Sequence, residues 1–531
     1  MGKRRNYFVN IIFPALIFGS ITGILTSLVV NLYKIAVHEV IGLSKQVYAF
    51  MADNLLTVLP ALAILFGLSF VLAWIYQRNI NISGDGIPTS IGLLRGILSF
   101  NWIKNLLGII FLSLVTFFTG VPLGDEGLAV QIGTAIGRGS ILPSQKKHMA
   151  WSRYAMTGGT CAGFTVATGA PISGIMFSLE EAHQRVTPMI IMVSCTSVLF
   201  SVITTEILST FIHLHKTLLP PMSLPNLGVA DLWIPLIIGI AMGLFAVVFL
   251  KFYVKTNRFF DKSLKKLPLF CKIFAIFALT LATGLVSFSF ISTGHDLVNE
   301  LFCENFAIPM LLLILLVRTV LTVSANSVGI TGGMHLSVIA IGTVIVYIVT
   351  KILQYFVGFG SGYFSVMLVI GITACFAGML KMPITAIVFS VEALSSHENI
   401  LHVIIAAAVA YMITELFDVK SINETILDNK LEDYRHGKKF EVIDTFVTVQ
   451  KGSFAIGKQI RDIFWPANLF VLSIKHDDTR TAEVDKHGEK DIREGDILHV
   501  RYSTYDEKAT RAELIAIIGD QEYEETVDEV I

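Results

Sequence analysis

The chain has 531 residues, 53% of them hydrophobic and 15% charged, with 37 Phe, and its mean hydropathy is +0.69. That composition excludes an ordinary soluble enzyme and assigns most of the chain to lipid. A net charge of −1 leaves no long-range field suited to nucleic acid.

The N-terminus reads Met1-Gly2-Lys3-Arg4-Arg5 and then enters an apolar run over residues 7–37, broken late by Lys34. The run is too long for the core of a signal peptide, so it is read as retained, with its basic flank in the cytoplasm. Comparable runs follow at 58–76, 233–250 and 273–291. Each can cover a hydrocarbon core of ~30 Å, which takes about 20 helical residues. Cys161, Cys195, Cys271, Cys303 and Cys375 lie scattered in apolar stretches without CxxC spacing. They predict neither a disulfide framework nor a zinc site, and read as packing residues.

Three glycine-bearing segments stand at the starts of apolar stretches: Gly84-Asp85-Gly86-Ile87-Pro88, Gly124-Asp125-Glu126-Gly127 and Gly332-Gly333-Met334-His335-Leu336. Each predicts a helix N-terminus at membrane depth. Glycine admits a ligand close to the backbone, and the first amides of a helix lack partners within it. The helix dipole adds about half a positive charge there. An anion satisfies both, and unpaired amides at that depth must line a cavity because lipid offers them nothing.

An internal repeat supports this. The segment from Pro171 to Glu180 (PISGIMFSLE) matches Pro383 to Glu392 (PITAIVFSVE), 212 residues on. Ile132-Gly133-Thr134 matches Ile341-Gly342-Thr343 at an offset of 209, which sets Gly124–Gly127 opposite Gly333–Leu336. Two structural halves are predicted, roughly 10–215 and 230–425, with a shared site at their interface near the midplane.

These motifs carry a resemblance to the CLC family of chloride channels and chloride/proton exchangers. Members of that family typically read GSGIP, GREGP and GIFAP where this chain reads GDGIP, GDEGL and GMHLS; Ala162-Gly163, Ala170–Gly174 and Phe177–Glu181 also fit. The resemblance covers residues 10–430. It implies an all-α polytopic membrane fold, an inverted repeat of about 18 tilted helices, assembled as a homodimer with one pore per subunit.

Glu126 stands beside the predicted anion site. A carboxylate there competes with the transported anion for the same amides until a proton releases it, or else it only caps its helix. By resemblance it is the external gating glutamate. Glu180 has a repeat partner in Glu392 and reads as structural, whereas Glu181 is answered by Ala393. By resemblance Glu181 is the internal proton-transfer glutamate, which favours exchange over passive conduction; a solvated cytoplasmic carboxylate is the plainer reading. The anion site is expected at Asp85, Gly86, Ile87, Gly127, Met334, His335 and Asn423, with the helix-start amides holding the anion and the Asn423 NH₂ able to donate to it.

Three positions depart from the family. Asp85 replaces a serine that donates to the anion; it either caps its own helix or, if charged, repels chloride. His335 replaces a phenylalanine, and Asn423 a tyrosine that closes the inner side of the site. Chloride is the default substrate, with fluoride or nitrate left open, and a passive channel is the nearest competitor. No cofactor, metal or enzyme activity is expected. His397-Glu398 is followed by His402 at i+5, off the face that a zinc HExxH motif needs. No TVGYG-like filter suggests potassium.

Near residue 430 the chain changes character: 45 of the first 430 residues are charged, against 36 of the last 101. A membrane domain over 1–430, a linker at 431–439, a small α/β module over 440–520 and an acidic tail at 521–531 are predicted. The module should form strands at 440–449, 468–474 and 497–502, with a helix over 455–464. Ile456-Gly457-Lys458, Val471–Ile474 and Glu494–Val500 resemble the RCK-C (TrkA-C) domain, which implies ligand-sensing or dimerising regulation. A multi-pass protein of the plasma membrane with both termini cytoplasmic is the expected whole.

Overall fold

The computed structural model describes residues 8–141, 149–212, 214, 224–358, 363–435, 438–476, 488–519 and 522–523. Among these, seven helical stretches are long and apolar enough to cross a membrane. Their outer faces carry bare apolar side chains such as Leu56, Ile64, Leu107 and Phe211. An exposed apolar girdle of that extent belongs against lipid.

In chain order α1 spans Phe13–Asp53, α2 Val58–Arg78, α3 Gly86–Leu94, α4 Trp102–Phe118, α5 Glu126–Ser140, α6 Ser152–Thr168, α7 Pro171–Phe177 and α8 Pro188–Ser209. The second half repeats them as α9 Trp233–Lys262, α10 Leu269–Gly284, α11 His295–Cys303, α12 Ile308–Val328, α13 His335–Val357, α14 Phe364–Leu380, α15 Pro383–Ala393 and α16 Ile400–Leu416. The starts of α6, α7 and α8 lie 212 residues before those of α14, α15 and α16, and the starts of α3 and α5 lie 209 before those of α11 and α13. This is the inverted repeat that the sequence predicts, with the two offsets it carries.

Small residues let the central helices touch. A Cβ on Gly133 in α5 would lie 2.0 Å from the carbonyl oxygen of Gly159 in α6, so only glycine permits that crossing. The halves are joined by an exchange of caps. Glu180 accepts from the amides of Ile384 (3.0 Å) and Thr385 (2.7 Å) and from the Thr385 hydroxyl, at the start of α15. Glu392 accepts from the amides of Ile172 and Ser173 (2.8 Å each) and from the Ser173 hydroxyl, at the start of α7. The repeated glutamate therefore caps a helix of the opposite half, the structural role that its duplication suggests.

Helix α17 (Ile422–Arg435) runs five residues into the stretch expected as linker. Its buried Leu427 and Leu431 pack in the membrane-domain core, which is why the helix continues. Beyond it β1 (Glu441–Thr448), β2 (Leu469–Lys475), β3 (Ile497–Thr504) and β4 (Glu522–Tyr523) form one antiparallel sheet in the order β2-β3-β1-β4, with α18 (Glu507–Ile518) against it. The predicted strands form. The helix expected over 455–464 does not: turns and one 3₁₀ turn at Ile460–Asp462 stand there. Gly457 adopts φ +75°, and the amides of Gly457 and Arg461 donate to Ile492 (2.8 Å) and Gly488 (2.9 Å) instead of to a helical neighbour. The apolar spacing reflects packing of Ile460, Ile463 and Phe464 into the domain.

Phe464 also docks this domain on the membrane part. Its ring lies 4.3 Å from that of Tyr154 and 4.6 Å from that of His183, with the Arg185 guanidinium 4.5 Å over it. The Tyr154 hydroxyl donates to the Asp462 carbonyl at 2.7 Å and Arg153 donates to that of Trp465 at 2.6 Å.

Replacing Glu180 or Glu392 by Ala strips two amides and a hydroxyl of their acceptor, a loss of roughly 3 kcal/mol at ~1 kcal/mol for each of the three groups, the low end of the usual range because the site is partly open to solvent. Each variant should lower the thermal midpoint of the detergent-purified protein; an unmoved midpoint for both would remove the cross-cap from the stabilising contacts.

Candidate ion-transport site

The three glycine segments meet where the halves face each other. Gly124 and Gly333 exchange amide-to-carbonyl hydrogen bonds of 2.7 Å in both directions, while the Gly84 amide donates to the Gly329 carbonyl (2.9 Å) and its carbonyl accepts from the Gly332 amide (3.2 Å). The N-termini of α3, α5 and α13 thus converge. A Cβ on Gly86 would fall 2.2 Å from the Gly127 carbonyl oxygen, and one on Gly127 would fall 2.6 Å from Asp85 Oδ1. Glycine is required at both for the starts of α3 and α5 to approach.

Asp85 is buried and spans the junction. Oδ1 accepts from the Ile87 amide (3.0 Å), the N-cap bond, while Oδ2 accepts from the Met334 amide (2.8 Å) at the start of α13. One carboxylate therefore sits on two of the amides that the sequence assigns to the anion. Lys430 of α17 answers its charge: buried, it donates to the Ser83 carbonyl (2.9 Å) and the Thr89 hydroxyl (2.6 Å) at the start of α3, within Coulombic range of Asp85.

Glu126, the first residue of α5, is 4% exposed, and neither carboxylate oxygen has a hydrogen-bond partner. His295 Nε2 lies 3.7 Å from Glu126 Oε1 and 3.6 Å from Asp125 Oδ1. His335, the first residue of α13, is buried with both ring nitrogens unpartnered and its edge toward Phe376, 5.8 Å between ring centres.

The end of α7 relaxes into a π turn, Ser178–Ala182, which turns adjacent glutamates to different partners. Glu180 reaches the other half, whereas Glu181 is buried and accepts from Asn423 Nδ2 at 3.2 Å. Arg95 fixes this turn by donating to the carbonyls of Glu181 (2.9 Å) and Ala182 (3.0 Å).

Asp85, Gly86, Ile87, Glu126, Gly127, Met334 and His335 are thus gathered at the three helix starts. Asn423, expected to bind the anion, instead donates through Nδ2 to Glu181, and its Oδ1 has no partner. Lys430 and His295 were not singled out from sequence. His295 was within reach of the repeat: adding 209 to Asp85 and Gly86 gives Gly294 and His295, and adding it to Asp125 gives Met334, so the segment that meets Met334 in one half has its counterpart, Gly294-His295, beside Asp125 in the other. Lys430 offered no such signal, because it lies in a polar helix outside the repeat.

Two inverted halves meeting at interrupted helices, with buried carboxylates at the junction, define a polytopic membrane protein of the transporter type. Residues 66–415 match the voltage gated chloride channel family, and the chain belongs to that family. It is 27% identical over 428 residues to the H(+)/Cl(-) exchange transporters ClcA of Salmonella arizonae and Salmonella typhimurium, an overlap of 78% of this chain and 88% of each relative. Its fold is similar to that of a slow cyanobacterial Cl−/H+ antiporter (TM-score 0.72, 22% identity, 79% of this chain and 98% of the other). It is also similar to a CLC-type fluoride/proton antiporter (TM-score 0.63, 18% identity, 77% and 98%).

Asp85→Ser frees the Met334 amide and removes a like charge. Two unit charges ~4 Å apart at an effective dielectric of ~20 oppose each other by about 4 kcal/mol. Chloride binding to the purified protein, read by calorimetry, should strengthen roughly tenfold or more, since each ~1.4 kcal/mol is a factor of ten. Lys430→Met alongside keeps the buried charge balanced. An affinity unmoved by both changes would mean that Asp85 does not compete with the anion.

Proposed function

We propose that this protein is a proton-coupled anion antiporter of the plasma membrane, a homodimer with one pathway per subunit and both termini cytoplasmic. The observation that carries the reading is Glu126: a carboxylate buried at the junction of the halves, with neither oxygen hydrogen-bonded. A group so placed gains little by staying where it is. Charged, it is drawn to the amides at the starts of α5 and α13; protonated, it leaves them to the anion. That alternation makes Glu126 the gate and ties each anion movement to a proton.

Glu181 supplies the other end of the proton route. It is buried on a turn that Arg95 holds, and Asn423 is its hydrogen-bond donor, so Asn423 acts here as a positioning residue rather than an anion ligand. The amides of Gly86, Ile87, Gly127, Met334 and His335 hold the anion once Asp85 withdraws from its two. Chloride is the substrate by kinship with the ClcA exchangers.

A second reading concerns the anion alone. Asp85 already sits on the Met334 amide, which favours an anion other than chloride, one able to share a site with a carboxylic acid that donates. The C-terminal domain is read as an RCK-C-type regulator. A cavity of about 720 Å³ between the start of α1 and this domain, lined by Phe13, Ile17, Trp151, Lys451 and Lys458, offers its ligand a place. Burial holds the Lys458 ammonium down to about 8, so that site loses positive charge as pH rises through this value.

The experiment is paired flux from reconstituted liposomes, with chloride, fluoride and nitrate compared. Uphill proton movement driven by one of these anions is expected, and anion flux without protons would make the protein a channel. Glu126→Gln should abolish the pH dependence and uncouple the two ions. Glu181→Gln should bring proton movement to background while anion flux persists; loss of both fluxes would make Glu181 structural.

A further inference from the structure

Asp125, Glu126 and His295 come together from different halves of the repeat. One ligand atom from each lies within 4.8 Å of the others. The His295 Nε2 separations of 3.6 and 3.7 Å are too long for a hydrogen bond, which ends near ~3.2 Å for N–H···O. They are close to the ~3.3 Å edge of a tetrahedron whose centre lies ~2.0–2.1 Å from each ligand atom, the bond length that zinc takes to nitrogen and oxygen.

The carboxylates are built to receive something. Asp125 and Glu126 are 5% and 4% exposed, yet Asp125 Oδ1 and both Glu126 oxygens lack hydrogen-bond partners. Two buried carboxylates with acceptor atoms within 4.8 Å of each other are costly to keep charged. The His295 side chain, by contrast, is 35% exposed and leaves a way in.

The donors also stand on fixed supports. Glu126 and His295 are the first residues of α5 and α11, and Asp125 is the N-cap of α5. The segment leading to His295 is pinned by Arg318, whose guanidinium donates to the carbonyls of Ile291 (2.8 Å) and Ser292 (2.9 Å), and by the Ser292 amide on the Gly120 carbonyl (2.7 Å).

Other charges nearby are Lys34, within Coulombic range of both carboxylates while it donates to the carbonyls of Val166 and Ala167, and the positive ends of the two helices, about half a charge each. These trim the negative field, and a dication that binds both carboxylates directly outweighs them. An imidazole with two carboxylates, leaving a fourth position for water, suits zinc; calcium and magnesium ask for six or more oxygens or for retained waters.

We propose that Asp125, Glu126 and His295 form a zinc site, and that zinc bound there arrests transport by holding the Glu126 carboxylate. The arrest rests on the reading of Glu126 as gate, whereas the binding does not.

Zinc is titrated into the metal-free, full-length protein in detergent by calorimetry, with magnesium as the control, and flux is recorded in liposomes with zinc on both faces. One zinc per chain is expected. Binding should weaken ~10–100-fold, the usual effect of disturbing a metal site, in both His295→Gln and Asp125→Asn. Whatever rate His295→Gln shows without zinc, its flux should not fall when zinc is added. Absence of saturable zinc binding, or binding unchanged in both variants, overturns the site. Zinc that binds and leaves flux unchanged overturns the gate reading while the site stands.

Discussion

A backbone amide that begins a helix inside a membrane has no water to turn to, and the architecture of this protein follows from how those amides are satisfied. Most helices could have crossed in single spans and avoided the difficulty. This chain instead breaks its helices at the glycines before α3, α5 and α13 and brings the broken ends together. The two halves then supply what neither has alone: Glu180 caps α15, Glu392 caps α7, and Gly124 bonds Gly333. The inverted repeat is therefore a means of pairing unsatisfied groups across a pseudo-twofold axis.

Where the pairing is complete the junction is structural, and where it is incomplete it leaves the polar groups on which the proposed ion path rests. The Glu180 and Glu392 caps are complete. Glu126, His335 and Asn423 retain buried atoms without partners. Asp85 stands between these cases. It satisfies two amides and is offset by Lys430, but it does so at a place where a small anion would make the same bonds. A carboxylate on the chain in place of an ion from solution changes the local field, and with it the anion that can enter.

Adjacent residues illustrate how little identity alone decides. Glu180 and Glu181 are the same residue one step apart, yet the π turn at Ser178–Ala182 sends one to the opposite half and the other toward Asn423. The repeat separated them in advance, because Glu392 answers Glu180 and Ala393 answers Glu181. In the C-terminal domain the sequence misled: residues 455–464 have helical spacing, but Gly457 at positive φ and the bonds to Gly488 and Ile492 impose turns. Periodicity records which side chains are buried and does not say which backbone ladder buries them.

The sequence by itself determined the membrane class, the two halves with their offsets of 212 and 209, the three helix starts and the candidate carboxylates, because apolar length, glycine position and internal repetition are local or self-referential signals. Only the tertiary structure decided the partners: Asp85 on the Met334 amide, Lys430 behind it, Asn423 on Glu181, and His295 beside Asp125 and Glu126. Each of these contacts joins residues that are remote along the chain, and their meeting depends on how broken helices cross. A buried charge takes its character from what the fold sets within a few ångströms of it.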